Sequence, residues 1–156
     1  MLPTKAIQVY TDGSCHTQLC IGAWVAIIFM GDEKIVLSGI ENNTTHNRME
    51  LMAVIKALEY IQQNRQTALI TVVTDSQYVT GLQARQQKFI SKDFTTKKGT
   101  EISNAGLVKE LLELLDKVPV TLKKIKAHQK ITEEANYNIE ADKLSRSLVR
   151  QAVKGL

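Results

Sequence analysis

The segment ALITVVTD, residues 68–75, constrains the fold more than any other stretch of the chain. It is almost entirely apolar and rich in β-branched residues, which is typical of a strand covered on both faces. The segment 44–63 changes to a helical period, with apolar residues at i, i+3 and i+4, and the segments 76–89 and 104–118 also have helical patterns. A strand buried among helices predicts an α/β protein.

The remaining segments complete a mixed sheet. Strand patterns cover residues 6–12, 21–30 and 34–40, and the short GDE connection predicts an antiparallel meander. A further strand is predicted over 120–128 and a closing helix over 138–153. We therefore expect helices on both faces of the sheet and a functional site beyond the strand ends.

Length and composition indicate a single soluble domain, residues 1–156, with no room for a second. The longest apolar run, IGAWVAIIFM, is too short to span a bilayer, and the N-terminus lacks the pattern of a signal peptide. We expect a cytoplasmic protein in which Cys15 and Cys20 are free thiols.

The basic residues fall into two clusters in a chain of net charge +4. Each cluster alone is as well explained by a solvated face, but together they favour a polyanionic partner, nucleic acid ahead of membrane. The clusters are Arg85, Lys88, Lys92, Lys97 and Lys98, and then Lys123, Lys124, Lys126 and Lys130.

Three acids lie at positions that bring them together. Asp12 and Asp75 end strands, and parallel neighbouring strands would place the two carboxylates side by side. Taken alone, Asp12 and Gly13 indicate a plain turn, and Asp75 a strand-to-helix boundary. Glu50 is placed in the first turn of its helix but on the apolar stripe, where an unpaired buried carboxylate is costly.

Two further residues extend this set. Asp142 lies near the start of the predicted last helix and, taken alone, is explained as a helix-start acid. His128, taken alone, is explained as a loop histidine. Four acids at one sheet edge would repel unless divalent cations such as Mg²⁺ lie among them. Two such ions about 3.5 to 4 Å apart suit an in-line phosphoryl displacement.

Four sequence blocks, YTDGSC, TTHNRMELMAVIKALE, TDSQYV and NIEADKLSR, resemble ribonuclease H of type 1 in order and spacing. The resemblance implies the ribonuclease H fold, a five-stranded mixed sheet flanked by helices. It implies cleavage of the RNA strand of RNA:DNA hybrids with Mg²⁺, leaving 3′-hydroxyl and 5′-phosphate ends, and Mn²⁺ is a possible substitute. We expect a monomer with no obligate protein partner and no separate hybrid-binding domain.

The resemblance also implies residue roles. Asp12, Glu50, Asp75 and Asp142 would bind the metal ions, and His128 would assist proton movement or product release. Thr45 and Asn104 would grip a DNA phosphate, while His46, where many relatives carry Asn, would lie in the hybrid groove. The other residues expected to contact or border the substrate are Gly13, Ser14, Asn47, Ser76, Gln77 and Asn138.

Two departures from the family and two alternatives accompany this interpretation. Gln18 is only a stand-in for a hybrid-contacting Asn, and the basic segment 85–98 replaces the family's basic handle without its tryptophan. The alternatives are a catalytically silent hybrid-binding module and another nuclease of the same fold, such as a junction resolvase or an integrase core.

Overall fold

A computed structural model describes residues 6–64, 69–126 and 133–156 of the chain. The strands are β1 (Ile7–His16), β2 (Ile21–Met30), β3 (Glu33–Glu41), β4 (Ile70–Thr74) and β5 (Val120–Lys124). The helices are α1 (His46–Gln63), α2 (Gln77–Leu82), α3 (Gln86–Ser91), α4 (Ala105–Lys117) and α5 (Glu133–Lys154), with a single 3₁₀ turn (Gln83–Arg85) between α2 and α3. No helix within these ranges is long and apolar enough to cross a membrane.

The five strands form one mixed sheet in the order β3-β2-β1-β4-β5. The strand β1 pairs with β2, and β2 with β3, in the antiparallel sense. The strands β1, β4 and β5 run parallel, with Val9 level with Val72 and Tyr10 level with Val73. The predicted meander, and the predicted parallel pairing of the strands that carry Asp12 and Asp75, are both confirmed.

Both faces of the sheet are covered, as the apolar run around β4 predicts. On one face, α1, α2 and α4 bury a core that includes Val9 and Val72. On the other face, α5 covers Tyr10 and Val73. Successive residues of a strand point to opposite faces, so a strand covered on both faces buries neighbouring apolar residues such as Val72 and Val73 in the two different cores.

The predicted turn at Asp12 and Gly13 is wrong. The strand β1 continues to His16, Gly13 pairs with Trp24, and the chain turns only at residues 17–20. Gly13 has a packing role instead, because a Cβ there would lie 2.7 Å from the backbone nitrogen of Glu50. A glycine inside a strand often marks such a close approach of another backbone.

Other boundaries also differ from the predictions. Thr45 caps α1 by accepting a hydrogen bond from the Arg48 N–H at 3.2 Å, so Glu50 lies in the second helical turn and not in the first. The helix α5 begins at Glu133, five residues before the predicted start, so Asp142 lies well inside it. The strand β5 ends at Lys124, whereas the predicted strand runs on into residues 127 and 128, which lie outside the described ranges.

Candidate metal centre

The carboxylates of Asp12, Glu50 and Asp75 converge beyond the end of β4. Each contributes an oxygen atom, and these oxygens all lie within 4.8 Å of one another. The pairing of Tyr10 with Val73, carried on by two residues, sets Asp12 level with Asp75. The first strand therefore extends past its parallel neighbour and presents Asp12 beside the residue that follows β4.

Glu50 approaches this point from α1. The absence of a side chain at Gly13 lets the backbone at Glu50 pack closely against β1. Only 1% of Glu50 is exposed, and neither carboxylate oxygen has a hydrogen-bond partner among the described residues. His46 Nε2 lies 3.2 Å from Oε1, within ion-pair distance when the imidazole is protonated. Burying a carboxylate in this way is costly unless another group balances it.

The pKa values of two of these acids are raised because their carboxylates are buried close to other negative charges. Burial raises the pKa of Asp12 to about 10, and the negative charges of Glu50 and Asp75 add to the effect. Burial also raises the pKa of Asp75, reinforced by the charges of Glu50 and Asp142. Contact with Glu50 raises the pKa of the His46 imidazole. The arrangement therefore favours the binding of positive charge.

Asp142 lies at the margin of the three-acid cluster. Its carboxylate is near enough to Asp12 and Asp75 to raise the pKa of both groups. Asp142 Oδ1 also accepts a hydrogen bond from Arg146 Nε at 3.0 Å. The structure thus brings all four predicted acids together, with Asp142 outside the tightest set. His128 lies outside the described residues, and its role stays a prediction.

The donor set fits a hard divalent cation. Three carboxylates supply only oxygen ligands, which Mg²⁺ and Mn²⁺ prefer. The two carboxylate oxygens of the buried Glu50 accept no hydrogen bond from the described residues, and a cation would balance their charge. Asp12 is held in place by the N–H of Gly13, which donates to Oδ1 at 2.9 Å. These residues form a candidate metal centre.

A separate pocket brings Thr45 and Asn104 together. Both residues line it, with residues 41–44 and Arg48. Asn104 precedes α4 in the left-handed conformation, with φ of 59°. Arg48 Nε lies 3.4 Å from Glu41 Oε2. Arg48, three residues after the helix-capping Thr45, was not predicted as part of this pocket, although its place near the N-terminus of α1, where anions are favoured, could have indicated it.

The other predicted substrate residues differ in exposure. Asn47 and Gln77 are exposed, as a binding role requires. The hydroxyl of the buried Ser76 caps α2 by accepting a hydrogen bond from the Val79 N–H at 3.2 Å. Asn138 is buried, and its Oδ1 has no hydrogen-bond partner within the described part of the chain.

Two more predicted residues lie in β1, next to the acids. Gly13 is buried beneath α1, and Ser14 is half-buried. The contacts of Gly13, Ser14 and the other predicted substrate residues with nucleic acid stay predictions.

Two phenylalanine side chains pack together within the basic segment 85–98. The rings of Phe89 and Phe94 stack with centroids 5.9 Å apart. Arg85 lies over Phe89 at 5.1 Å, and Lys109 lies over Phe94 at 4.9 Å. The lysines of the segment are exposed. Aromatic packing thus supports a basic surface without a tryptophan.

Comparison with known proteins identifies close relatives. The family model described as RNase H matches residues 4–150. The chain is 36% identical to the ribonuclease H of Caldicellulosiruptor saccharolyticus over 151 residues, covering 94% of this chain and 98% of the relative. It is 34% identical to the ribonuclease H of Hahella chejuensis over 150 residues, covering 96% of this chain and 97% of the relative.

Two solved structures share the fold. The crystal structure of LC9-RNase H1, described as a type 1 RNase H with the type 2 active-site motif, has a TM-score of 0.78 at 23% identity. That match covers 97% of this chain and 75% of the other. The solution structure of the PFV RNase H domain has a TM-score of 0.72 at 24% identity, covering 92% of this chain and 94% of the domain. At these identities the likeness is one of fold.

Proposed function

The chain belongs to the RNase H family, and on that premise we propose that it hydrolyses the RNA strand of RNA:DNA hybrids. The observation that carries the proposal is the buried Glu50, whose carboxylate oxygens accept no hydrogen bond from the described residues and which clusters with Asp12 and Asp75. A purely binding protein gains nothing from carboxylates that face a phosphate backbone. A metal-dependent nuclease needs them.

Asp12, Glu50, Asp75 and Asp142 are the residues that would hold two Mg²⁺ ions, with Mn²⁺ as a possible substitute. When bound, such ions would stabilise the negative charge on the attacking water and on the leaving oxygen of an in-line displacement. By its likeness to the family, Asp12 is the residue that would be shared between the two ions. The Gly13 N–H holds its carboxylate at 2.9 Å, so that little reorganisation is needed when ions arrive.

Two surfaces outside the acid cluster would hold the substrate. We propose that the pocket of Thr45, Arg48 and Asn104 takes a phosphate of the DNA strand. The basic segment 85–98 would follow the backbone of the hybrid. Hydroxyls at the 2′ position of one strand distinguish a hybrid from duplex DNA, and the exposed Asn47 and Gln77 are suited to reading them.

His128 is proposed to move protons or to assist product release. We propose further that the protein acts in the cytoplasm as a monomer, with one catalytic domain and no obligate partner. Size-exclusion chromatography with light scattering would test the oligomeric state.

A substrate panel tests the activity. The wild-type protein and the Asp12→Asn variant are incubated with an RNA:DNA hybrid labelled on each strand, with and without EDTA. Duplex DNA, duplex RNA and a four-way DNA junction are the comparison substrates. We expect Mg²⁺-dependent cleavage of the RNA strand of the hybrid alone, reduced by orders of magnitude in Asp12→Asn, which should still bind the hybrid.

Two results would contradict the proposal. Binding of the hybrid without any cleavage would indicate a silent binding module. Preferential cleavage of the junction or of duplex DNA would indicate another nuclease of this fold.

A further inference from the structure

Arg146 lies one helical turn after Asp142 on α5 and contacts it directly. Arg146 Nε donates to Asp142 Oδ1 at 3.0 Å. The side chain of Arg146 is 58% exposed and that of Asp142 31% exposed. A guanidinium stays charged at any working pH, so this partner of Asp142 is a permanent cation.

The same carboxyl group also faces the acid cluster. The neighbouring Ala141 packs with Tyr10 of β1 in one apolar cluster, and Asp142 raises the pKa of both Asp12 and Asp75. Asp142 nevertheless lies outside the set of three acids whose oxygens are mutually within 4.8 Å. One oxygen of Asp142 is therefore occupied by Arg146 while the group borders Asp12. Of the four acids, Asp142 is the one with a well-formed hydrogen bond to a cationic side chain.

We infer that Arg146 is a positioning residue that leaves Asp142 one free oxygen and offsets part of its charge, so that the outer side of the centre holds its metal ion weakly. The inference rests on the proposed function, because it concerns the same metal centre. A ligand that shares its charge with a fixed cation binds a divalent ion less tightly than a free carboxylate does. The outer ion can then exchange readily.

Measurement of Mn²⁺ binding to the whole chain without nucleic acid tests the inference. Free Mn²⁺ is followed by electron paramagnetic resonance for the wild type, Arg146→Gln, Arg146→Lys and Arg150→Gln. Arg150 is exposed on the same helix, so Arg150→Gln removes the same charge one turn farther from Asp142. The Mg²⁺ concentration that gives half-maximal cleavage provides a second readout.

We expect Arg146→Gln to bind Mn²⁺ about three- to tenfold more tightly than the wild type, the size of a charge effect at a partly screened site. Arg146→Lys should return to within about twofold of the wild type, because a lysine keeps the charge beside Asp142. Arg150→Gln should match the wild type. The half-maximal Mg²⁺ concentration should shift in the same direction as the Mn²⁺ affinity.

Unchanged or weaker Mn²⁺ binding by Arg146→Gln would overturn the inference. So would a loss of hybrid affinity with unaltered Mn²⁺ binding, which would make Arg146 a phosphate contact. If the wild type itself binds no Mn²⁺ and does not cleave the hybrid, the metal centre and the proposed function fail together. That outcome is distinct from a failure confined to Arg146.

Discussion

Replacing Asp12 by asparagine should make the metal-free protein more stable. At an effective dielectric constant of 20, two charged carboxylates whose oxygens lie within 4.8 Å repel by about 3.5 kcal/mol at that limiting distance, and Asp12 has two such neighbours. The protein avoids part of this repulsion by protonating Asp12, whose pKa is raised to about 10. Asparagine keeps the oxygen that accepts the Gly13 N–H and removes the need for a proton.

The magnitude follows from proton linkage. Because the ordinary pKa of the group is 3.8, folding at pH 7 with Asp12 protonated costs up to about 4 kcal/mol. We expect Asp12→Asn to recover about 1 to 4 kcal/mol of that cost in EDTA, because neighbouring groups share the proton.

The pH dependence of this effect has a definite sign. Between pH 4 and pH 10 the folded state binds more protons at Asp12 than the unfolded state does. The stability of the wild type relative to Asp12→Asn should therefore fall as the pH rises, by at most about 1.4 kcal/mol per pH unit. Added Mg²⁺ should stabilise the wild type more than the variant, because a ligand that binds only the folded state stabilises it.

Urea unfolding in EDTA at pH 5.5, 7.0 and 8.5 measures these differences. Asp32→Asn is the matched control, because Asp32 is exposed in the turn between β2 and β3 and the chemical change is the same. The control should alter stability by less than about 0.5 kcal/mol. A wild type as stable as Asp12→Asn at pH 8.5 in EDTA, or a difference that does not grow with pH, would refute the reasoning.

Two further predictions concern Gly13 and Arg48. Gly13→Ala should destabilise the protein by about 1 to 3 kcal/mol in urea unfolding and weaken its stabilisation by Mg²⁺, because the new Cβ would meet the backbone at Glu50. Gly81→Ala, where a Cβ meets nothing within 4 Å, should not destabilise it. Arg48→Gln should weaken hybrid binding about three- to tenfold and lower the salt dependence of that binding by about one phosphate contact. The free energy of unfolding should change little, because the ion pair between Arg48 and Glu41 is partly exposed. Titrations of hybrid binding at several salt concentrations measure this, with Arg150→Gln as the control. Equal affinity and equal salt dependence for the two variants would contradict the prediction.

The elements that a local pattern determines were predictable. The apolar run ending at Asp75 belongs to β4, a strand between two parallel neighbours, and Glu50 was identified because an acid on the apolar stripe of a helix is unusual. Both signals are contained in short segments. The convergence of Asp12 with Asp75 followed because parallel neighbouring strands end at the same edge.

Tertiary contacts decided the features that the sequence analysis missed. Asp-Gly is a strong turn signal, but β1 continues through it because β2 pairs along its whole length. Arg48 shares a pocket with Asn104, which is distant in sequence and reaches it only in the folded chain. The sequence pattern does not distinguish Arg146 from other surface arginines. Its position is informative only because α5 packs so that Asp142 lies near Asp12.

The four acids differ in burial, and this difference links stability to function. Asp12 and Glu50 are 3% and 1% exposed, and two elements that pack closely at Gly13 hold them rigidly. Asp142 is 31% exposed and paired with Arg146. Repulsion among Asp12, Glu50 and Asp75 thus lowers the stability of the metal-free fold, and either protonation of Asp12 or a bound cation offsets it. Asp142 already has a cationic partner in Arg146, so we expect loss of a cation from beside Asp142 to add less repulsion than loss of one from between Asp12 and Glu50.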